Sequence, residues 1–306
     1  MAGFISTFLA SAVRCAMPMF IAALGLVFSE RAGIVNIGVE GMMIIGAILA
    51  YAGSFLTGSK WLGLLFAGLG GMAFGLILAF WAITLRVNQT VVGAAINIIG
   101  AGLAVTINRM IFGVNTVAPK INNFTQLHIP VLSDIPFIGH ILFSYNILVY
   151  IAIALMLVLH YVLFHTELGL SVRAVGENPR ACDTLGINVN RVRYGATLFG
   201  GLMAGLAGGY LSIGQLAVFV EDMTSGRGFI AIAAVVFGKR NPVGALLASL
   251  VFGAGEAVQY KLTAGNIDIP FQFAQMIPYV LTILSLIGLV GKTETPAASG
   301  IPYVKE

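Results

Sequence analysis

Long apolar runs alternate with short polar segments along almost the whole chain. A helix of about 20 apolar residues is long enough to cross the hydrocarbon core of a bilayer. Runs of this kind fall at 7–28, 33–56, 61–83, 90–113, 141–164, 191–214, 243–262 and 272–291. A further run, 228–238, is too short for a comfortable crossing and predicts a half-helix or a re-entrant segment. The pattern predicts an all-α polytopic membrane protein with eight to ten transmembrane helices.

Composition agrees with an integral membrane protein. Of the 306 residues, 58% are hydrophobic and only 9% are charged, whereas soluble domains carry about 25% charged residues. The net charge of +4 is too small to suggest nucleic-acid binding. Cys15 lies in an apolar run and Cys182 in a basic segment, so the two are expected on different sides of the hydrocarbon layer. Neither a disulfide nor a metal site is therefore predicted.

A charged stretch at 165–193 separates the apolar runs into two halves, which we interpret as a pseudo-repeat. It carries four arginines and three acidic residues: Arg173, Arg180, Arg191 and Arg193, with Glu167, Glu177 and Asp183. Because Lys and Arg concentrate in cytoplasmic loops, this loop is predicted to face the cytoplasm. The same rule predicts a cytoplasmic tail at 292–306 and an external stretch at 114–140, and it leaves the side of the N-terminus open.

Within this loop, the residue order predicts a short helix from Pro179 to Leu185. Asn178 is a good N-cap, Pro179 suits the first helical position, and Gly186 fits just past the last turn. We expect Ala181, Cys182 and Leu185 on one face, with charges on the flanks. A short capped helix on the cytoplasmic side suits docking into a partner. The alternative interpretation is an ordinary solvated loop.

Two apolar runs begin with polar and glycine residues, one in each half of the chain. They lie at 29–43 and 226–238, and the first turns of the run at 33–56 are expected to be distorted. Paired interrupted segments in the two halves of a transporter indicate a pathway near the membrane midplane. Elsewhere, glycines at small-xxx-small spacing predict close helix packing: Gly71 and Gly75, then Gly201, Gly205 and Gly209.

Several polar residues are predicted inside the membrane, where ionisable groups are rare and face the protein interior or a water-filled cavity. Glu40 lies about 10 Å into its run at 1.5 Å per residue, and Asn97 and Glu256 are central in theirs. We expect Glu40 to face the interior, with Gly38 and Gly41 forming a water-accessible crevice. The candidate pathway residues are Asn36, Glu40, Asn97, Phe229 and Glu256. The alternative is that these side chains hold helices together by hydrogen bonds.

Three motifs resemble the permease subunits of ATP-binding-cassette (ABC) importers related to the ribose-type and branched-chain amino acid permeases. They are Arg-Ala-Val-Gly-Glu-Asn-Pro-Arg-Ala at 173–181 followed by Gly-Ile-Asn-Val, Asn-Ile-Gly-Val-Glu-Gly at 36–41, and Gly-Phe-Ile-Ala-Ile-Ala at 228–233. Because Met42 and Met43 follow the second motif, it looks most like the subgroup for purine nucleoside uptake, which uses a Bmp-type binding lipoprotein.

The resemblance implies one permease domain over 1–306, with a first half at about 1–164 and a second at about 191–291. It implies two cytoplasmic ATPase domains, a second permease subunit that is a related but distinct chain, an external lipoprotein and a location in the bacterial plasma membrane. The residues that it assigns to ATPase coupling are Arg173, Gly176, Glu177, Asn178, Pro179, Arg180, Ala181, Asp183, Leu185 and Gly186.

Catalysis by the chain itself is not expected, and neither is a cofactor. Lys292-Thr293 after Gly291 suggests a phosphate loop, but that motif needs a glycine where Leu286 stands. The alternatives within the class are a simple-sugar permease, such as one for pentoses, and a branched-chain amino acid permease. An ion-coupled secondary transporter also needs intramembrane acids, but it does not need a capped, charged helix in the central loop. A membrane-embedded enzyme is disfavoured because the four histidines are scattered.

Overall fold

The computed structural model describes residues 2–113, 119, 121–127, 143–264, 276, 277, 280 and 295–305. These residues form α-helices and their connections, and they contain no strand beyond one isolated bridge between Gln126 and Asn146. Short π-helical segments, Phe80–Thr84 and Tyr210–Leu216, extend the third and eighth helices. The helices are α1 Ala2–Arg31, α2 Val39–Thr57, α3 Lys60–Ala79, α4 Gln89–Phe112, α5 Ile147–His165, α6 Glu167–Glu177, α7 Pro179–Thr184, α8 Val189–Gly209, α9 Arg227–Phe237 and α10 Pro242–Ala264.

The prediction of an all-α polytopic membrane protein is confirmed. In the described part of the chain, seven helices are long and apolar enough to cross a bilayer: Ile5–Arg31, Val39–Thr57, Lys60–Thr84, Gln89–Phe112, Ile147–His165, Val189–Leu216 and Pro242–Thr263. The predicted half-helix is also confirmed, because α9 has only 11 residues. The predicted crossing at 272–291 lies outside the described residues, apart from 276, 277 and 280.

The C-terminus of α1 meets the connection between α9 and α10 at one end of the bundle. Arg31 donates hydrogen bonds to the carbonyl oxygens of Arg240 and Lys239, at 3.0 and 3.2 Å. Arg240 also forms a buried salt bridge with Glu30, with 2.9 Å between Nε and Oε2. The helices α6 and α7 lie at the same end, since Gly176 contacts the carbonyl of Arg31. We call this the basic end, and we expect it to be cytoplasmic.

The opposite end contains the beginning of α1 and the end of α10. Lys261 donates a hydrogen bond to the Thr7 hydroxyl at 3.3 Å. The connection after α4 covers this end as well, because the Ser54 hydroxyl donates to the carbonyl of Asn122 at 3.0 Å. The first residues of α1 therefore lie opposite the basic end, which the sequence alone did not indicate.

Helices α2, α3 and α8 pack closely against one another. A Cβ atom added to Gly46 would lie 2.5 Å from the Cα of Gly205, and one added to Gly201 would lie 2.9 Å from the Cα of Gly75. A Cβ on Gly205 would overlap the carbonyl oxygen of Ala67. The glycine faces predicted on α3 and α8 therefore do allow close backbone contact.

Candidate functional site

Glu40 joins the beginnings of two helices that are distant in sequence. It is the second residue of α2, which follows a non-helical segment, 32–38, that we call the break. Its Oε1 accepts a hydrogen bond from the backbone N–H of Gly226 at 2.8 Å, and its Oε2 accepts one from Gly228 at 2.6 Å. Because α9 begins at Arg227, the Glu40 carboxylate caps α9 from another helix. We call this contact the helix junction.

Helix electrostatics explain why a carboxylate is stable there without a Lys or Arg partner. The N-terminus of a helix carries free N–H groups and a partial charge of roughly +0.5. At the helix junction two such ends face one carboxylate. Their two positive partial charges together about balance the full negative charge of the carboxylate. The expectation that Glu40 faces the protein interior is consistent with these contacts.

The glycines around Glu40 allow close backbone contact instead of forming a water-filled crevice. A Cβ on Gly228 would lie 2.8 Å from the Cα of Glu40, so only glycine fits at that position. A Cβ on Gly41 would lie 2.5 Å from the carbonyl oxygen of Ile96, and one on Gly38 would lie 2.9 Å from the Ile96 side chain. The crevice interpretation of Gly38 and Gly41 was wrong because α4 packs directly against them.

The side chain of Asn97 on α4 holds the break in place. Its Oδ1 accepts a hydrogen bond from the Gly41 N–H at 2.8 Å, and its Nδ2 donates to the carbonyl of Ile37 at 3.0 Å. Asn36 is buried in the break, with its Nδ2 3.5 Å from the sulfur of Met42 and its Oδ1 without a hydrogen-bond partner. Asn97 therefore supports backbone at the end of the break, where free polar groups inside a membrane need partners.

Glu256 on α10 is paired with Arg227, the first residue of α9. The two side chains form a salt bridge and are only 10% and 12% exposed, respectively. Arg227 also donates to the Tyr260 hydroxyl at 3.0 Å and to the carbonyl of Met223 at 2.8 Å. This pair was not predicted from the sequence, although an arginine between two glycines at the start of a short apolar run is a signal for a buried partner.

Four of the five candidate pathway residues therefore lie around the beginnings of α2 and α9: Asn36, Glu40, Asn97 and Glu256. Phe229 lies on α9 but its side chain is 48% exposed. Glu40, Asn97 and Glu256 each have partners within the protein, as the hydrogen-bonding alternative expected. A role of these residues in the pathway stays a prediction.

The stretch at 165–193 is mostly helical, so describing it as a loop was wrong. It contains α6, the short α7 and the first turn of α8. The capped helix is confirmed: the Asn178 side chain accepts a hydrogen bond from the Ala181 N–H at 3.1 Å, Pro179 is the first helical residue, and Gly186 has a φ of +83°. We call α6 and α7 together the coupling helices, after the role in ATPase coupling that the sequence predicts for this stretch.

The expectation that Ala181, Cys182 and Leu185 share one face was wrong. Cys182 is buried against Val175 of α6 and Val189 of α8, and burial raises the pKa of its thiol. Ala181 is exposed, and the side chain of Leu185 is 80% exposed. The short helix therefore binds the body of the protein through Cys182 and presents Ala181 and Leu185 outward.

The remaining coupling candidates divide between the body of the protein and the surface. The guanidinium of Arg173 lies 5.3 Å from the ring centroid of Phe164 on α5, and Gly176 packs against the end of α1. Arg180 is exposed. Glu177 and Asp183 contact the C-terminal segment, at 3.3 and 3.6 Å.

Arg193, the last residue of the charged stretch, is buried inside the protein. It lies in α8 and is 1% exposed, and its Nη1 donates to the carbonyl of Ile301 at 3.0 Å. Its acceptor comes from a residue 108 positions away, which local patterns do not indicate. The buried pair between Glu30 and Arg240 was missed for the same reason.

Comparison with known proteins gives a consistent result along the chain. Residues 8–286 match the family described as "Branched-chain amino acid transport system / permease component". The chain is 43% identical over 301 residues to the guanosine ABC transporter permease protein NupQ of Bacillus subtilis, which covers 95% of this chain and 94% of that protein. It is 39% identical over 300 residues to the nucleoside ABC transporter permease protein NupC of Lactococcus lactis, covering 94% and 93%. A third relative, the putative glucose ABC transporter permease protein TsgC13 of Haloferax volcanii, is 37% identical over 265 residues, or 84% and 78% of the two chains.

Proposed function

Since this chain belongs to the family of branched-chain amino acid transport system permease components, we propose that it is the transmembrane subunit of an ATP-driven importer for nucleosides. The observation that carries this proposal is the similarity to NupQ and NupC over more than nine-tenths of the chain. Matches of this coverage span the break, the helix junction and the coupling helices. The proposed location is the plasma membrane of a bacterial cell.

The coupling helices support the proposal that other chains bind this protein and hydrolyse ATP. They form a helical surface at the basic end, and Leu185, directly after the last residue of α7, is an exposed leucine on this surface. An apolar side chain on such a surface suits a pocket on a partner, which we propose is a cytoplasmic ABC ATPase. A second, related permease chain would complete the pathway, and an external lipoprotein would deliver the substrate. ATP hydrolysis would then take place on the partner.

Simple sugars are the second candidate substrates, because TsgC13 is also similar over most of the chain. The similarity to TsgC13 is lower in identity and in coverage than the similarity to NupQ, so nucleosides are the better supported class. The coupling helices also support an ABC importer over an ion-coupled transporter, which has no need of a docking surface.

The substrate class can be tested with the complex reconstituted in proteoliposomes with its ATPase, second permease and binding lipoprotein. We expect guanosine to stimulate ATP hydrolysis and to accumulate inside the vesicles. Glucose, ribose and leucine serve as the competing substrates. Stimulation by glucose or leucine, with no response to guanosine, would reject the nucleoside assignment. Uptake driven by an ion gradient without ATP would reject the whole mechanism.

The outward side of α7 provides a direct test of coupling. In the same vesicles, Ala181→Glu and Leu185→Glu should each abolish guanosine-stimulated ATPase activity, because a charged side chain at an apolar contact must be desolvated. The matched control is Asn190→Glu, at an exposed position in the first turn of α8, where a negative charge is tolerated. Normal stimulation in both α7 variants would show that this surface does not contact the ATPase.

A further inference from the structure

The C-terminal segment 295–305, which we call the tail, lies across the basic end and bonds to three separate parts of the protein. The N–H of Ala298 donates to the carbonyl of Gly176 on α6 at 2.9 Å. The N–H of Gly300 donates to the carbonyl of Gly33 in the break at 3.0 Å. The carbonyl of Ile301 accepts from Arg193 of α8 at 3.0 Å. Backbone groups make most of these contacts, so they depend on the path of the tail more than on its side chains.

Both coupling helices contact the tail. Besides the bond to Gly176, the N–H of Ala297 lies 3.3 Å from the carboxylate of Glu177 at the end of α6. Lys305 pairs with Asp183 of α7 at 3.6 Å. Tyr303 packs against the small apolar cluster that contains Cys182 and holds α7 against α6 and α8. Movement of α6 and α7 would therefore carry the tail with them.

The other side of the tail is fixed to the break. Gly33 has a φ of +84°, a conformation that favours glycine, and a Cβ there would lie 3.0 Å from the carbonyl oxygen of Ala298 and 3.1 Å from Nη2 of Arg193. Ala298 itself is 7% exposed. The break leads within a few residues to Glu40, so the tail lies between the coupling helices and the segment that ends at the helix junction.

Arg193 gives this arrangement an energetic reason to stay intact. Its side chain is almost fully buried, and a buried cation needs hydrogen-bond acceptors. The acceptor of its Nη1 is the carbonyl of Ile301 in the tail. If the tail detached, that buried guanidinium would lose this acceptor. The bond therefore favours the observed position of the tail against the basic end.

We propose that the tail is a positioning segment for coupling, which transmits displacement of α6 and α7 to the break and so to the beginning of α2. The proposal rests on the proposed function, since it needs an ATPase acting on the coupling helices. Gly176 also packs directly against the carbonyl of Arg31 and the backbone nitrogen of Gly33, so α6 touches the first residues of the break without the tail. The tail adds a second connection, because it contacts the coupling helices and also bonds to the carbonyl of Gly33.

A pair of neighbouring substitutions tests the proposal in the reconstituted complex. Ala298→Gln places a long polar side chain at a buried position and should lift the tail from the break. Ala297→Gln makes the same change at the adjacent, exposed residue and is the control. The measurement is the ratio of guanosine transported to ATP hydrolysed, because a defect in folding or assembly lowers both rates together and leaves the ratio unchanged.

For Ala298→Gln we expect the ratio to fall by roughly tenfold, within the range of about 5–150-fold that is typical of coupling between two sites. The control should keep the ratio of the parent. Truncation after Glu294 should give the same loss as Ala298→Gln. An unchanged ratio in Ala298→Gln and in the truncated chain, or equal loss of transport and hydrolysis, would overturn the proposal. If the parent complex neither transports guanosine nor hydrolyses ATP in response to it, the proposed function has failed instead.

Discussion

Replacing Glu40 with leucine is expected to abolish transport and to lower the thermal stability of the complex. The N–H groups of Gly226 and Gly228 would lose their acceptor, and a buried donor without a partner costs about 1–3 kcal/mol. The beginnings of α2 and α9 would also lose the negative charge that compensates both helix dipoles. The expected loss of stability is on the order of 1–3 kcal/mol, because Gly228 is buried whereas Gly226 is only half-buried. Membrane insertion should continue, because leucine is favoured in a transmembrane helix.

Glu40→Gln should give a partial defect in both measurements. Its amide oxygen can accept one of the two hydrogen bonds, but its NH2 group would face the second backbone N–H, and two donors repel each other. The control is Glu221→Gln, the same chemical change in an exposed ion pair with Arg109, where the expected effect is small. Melting of the detergent-purified complex and guanosine uptake are the two readouts. If Glu40→Leu melts and transports like the parent, the helix junction has no structural or functional importance.

Gly205→Ala is expected to separate α8 from α3 and to cause a large loss of stability. An added Cβ would overlap the carbonyl oxygen of Ala67 and would lie 3.0 Å from the Cα of Gly71. Both neighbours are backbone atoms of α3, so no side-chain rotation relieves the overlap. Overpacking of this kind costs typically 1–3 kcal/mol and occasionally more.

The same helix supplies a matched control, because Gly195 has open space around its Cβ position. Gly195→Ala should leave stability unchanged or raise it by about 0.5–1 kcal/mol, since alanine favours helix formation more than glycine does. Melting curves of the two variants in detergent give the comparison directly. Equal effects of the two substitutions would show that the close contact between α3 and α8 does not limit stability.

The sequence predicted those features that depend on local chemistry. Asn178, Pro179 and Gly186 define the ends of α7 through contacts with their immediate neighbours, so their order was sufficient to place the helix. The polar and glycine residues of the break likewise predicted that the first turns of the run at 33–56 are not regular helix, and α2 begins only at Val39. In each case the physical cause lies within a few residues of the effect.

The partners of these features depend on the tertiary arrangement, and the sequence alone did not identify them. The polarity of Glu40 indicated an interior position, but its acceptor role toward Gly226 and Gly228 requires that α9 begin at the same depth as α2. Cys182 is buried because α6 and α8 flank it, and no helical periodicity over six residues of α7 reveals those neighbours. The contacts of the tail could not be predicted for a similar reason, because backbone groups, which every residue has, make most of its bonds.

Arg193 and Arg240, two buried arginines of the basic end, are expected to have one role during membrane insertion and another after folding. During insertion, before the helices have packed, we expect Arg193 and Arg240 to be extended cations that help to retain their flanks on the cytoplasmic side. After folding they are 1% and 5% exposed, and their charges stabilise internal contacts with Ile301 and Glu30. The same two positive charges that are expected to orient the chain in the membrane therefore hold the folded structure together through a hydrogen bond and a salt bridge. The folded basic end consequently exposes fewer cations than the sequence contains.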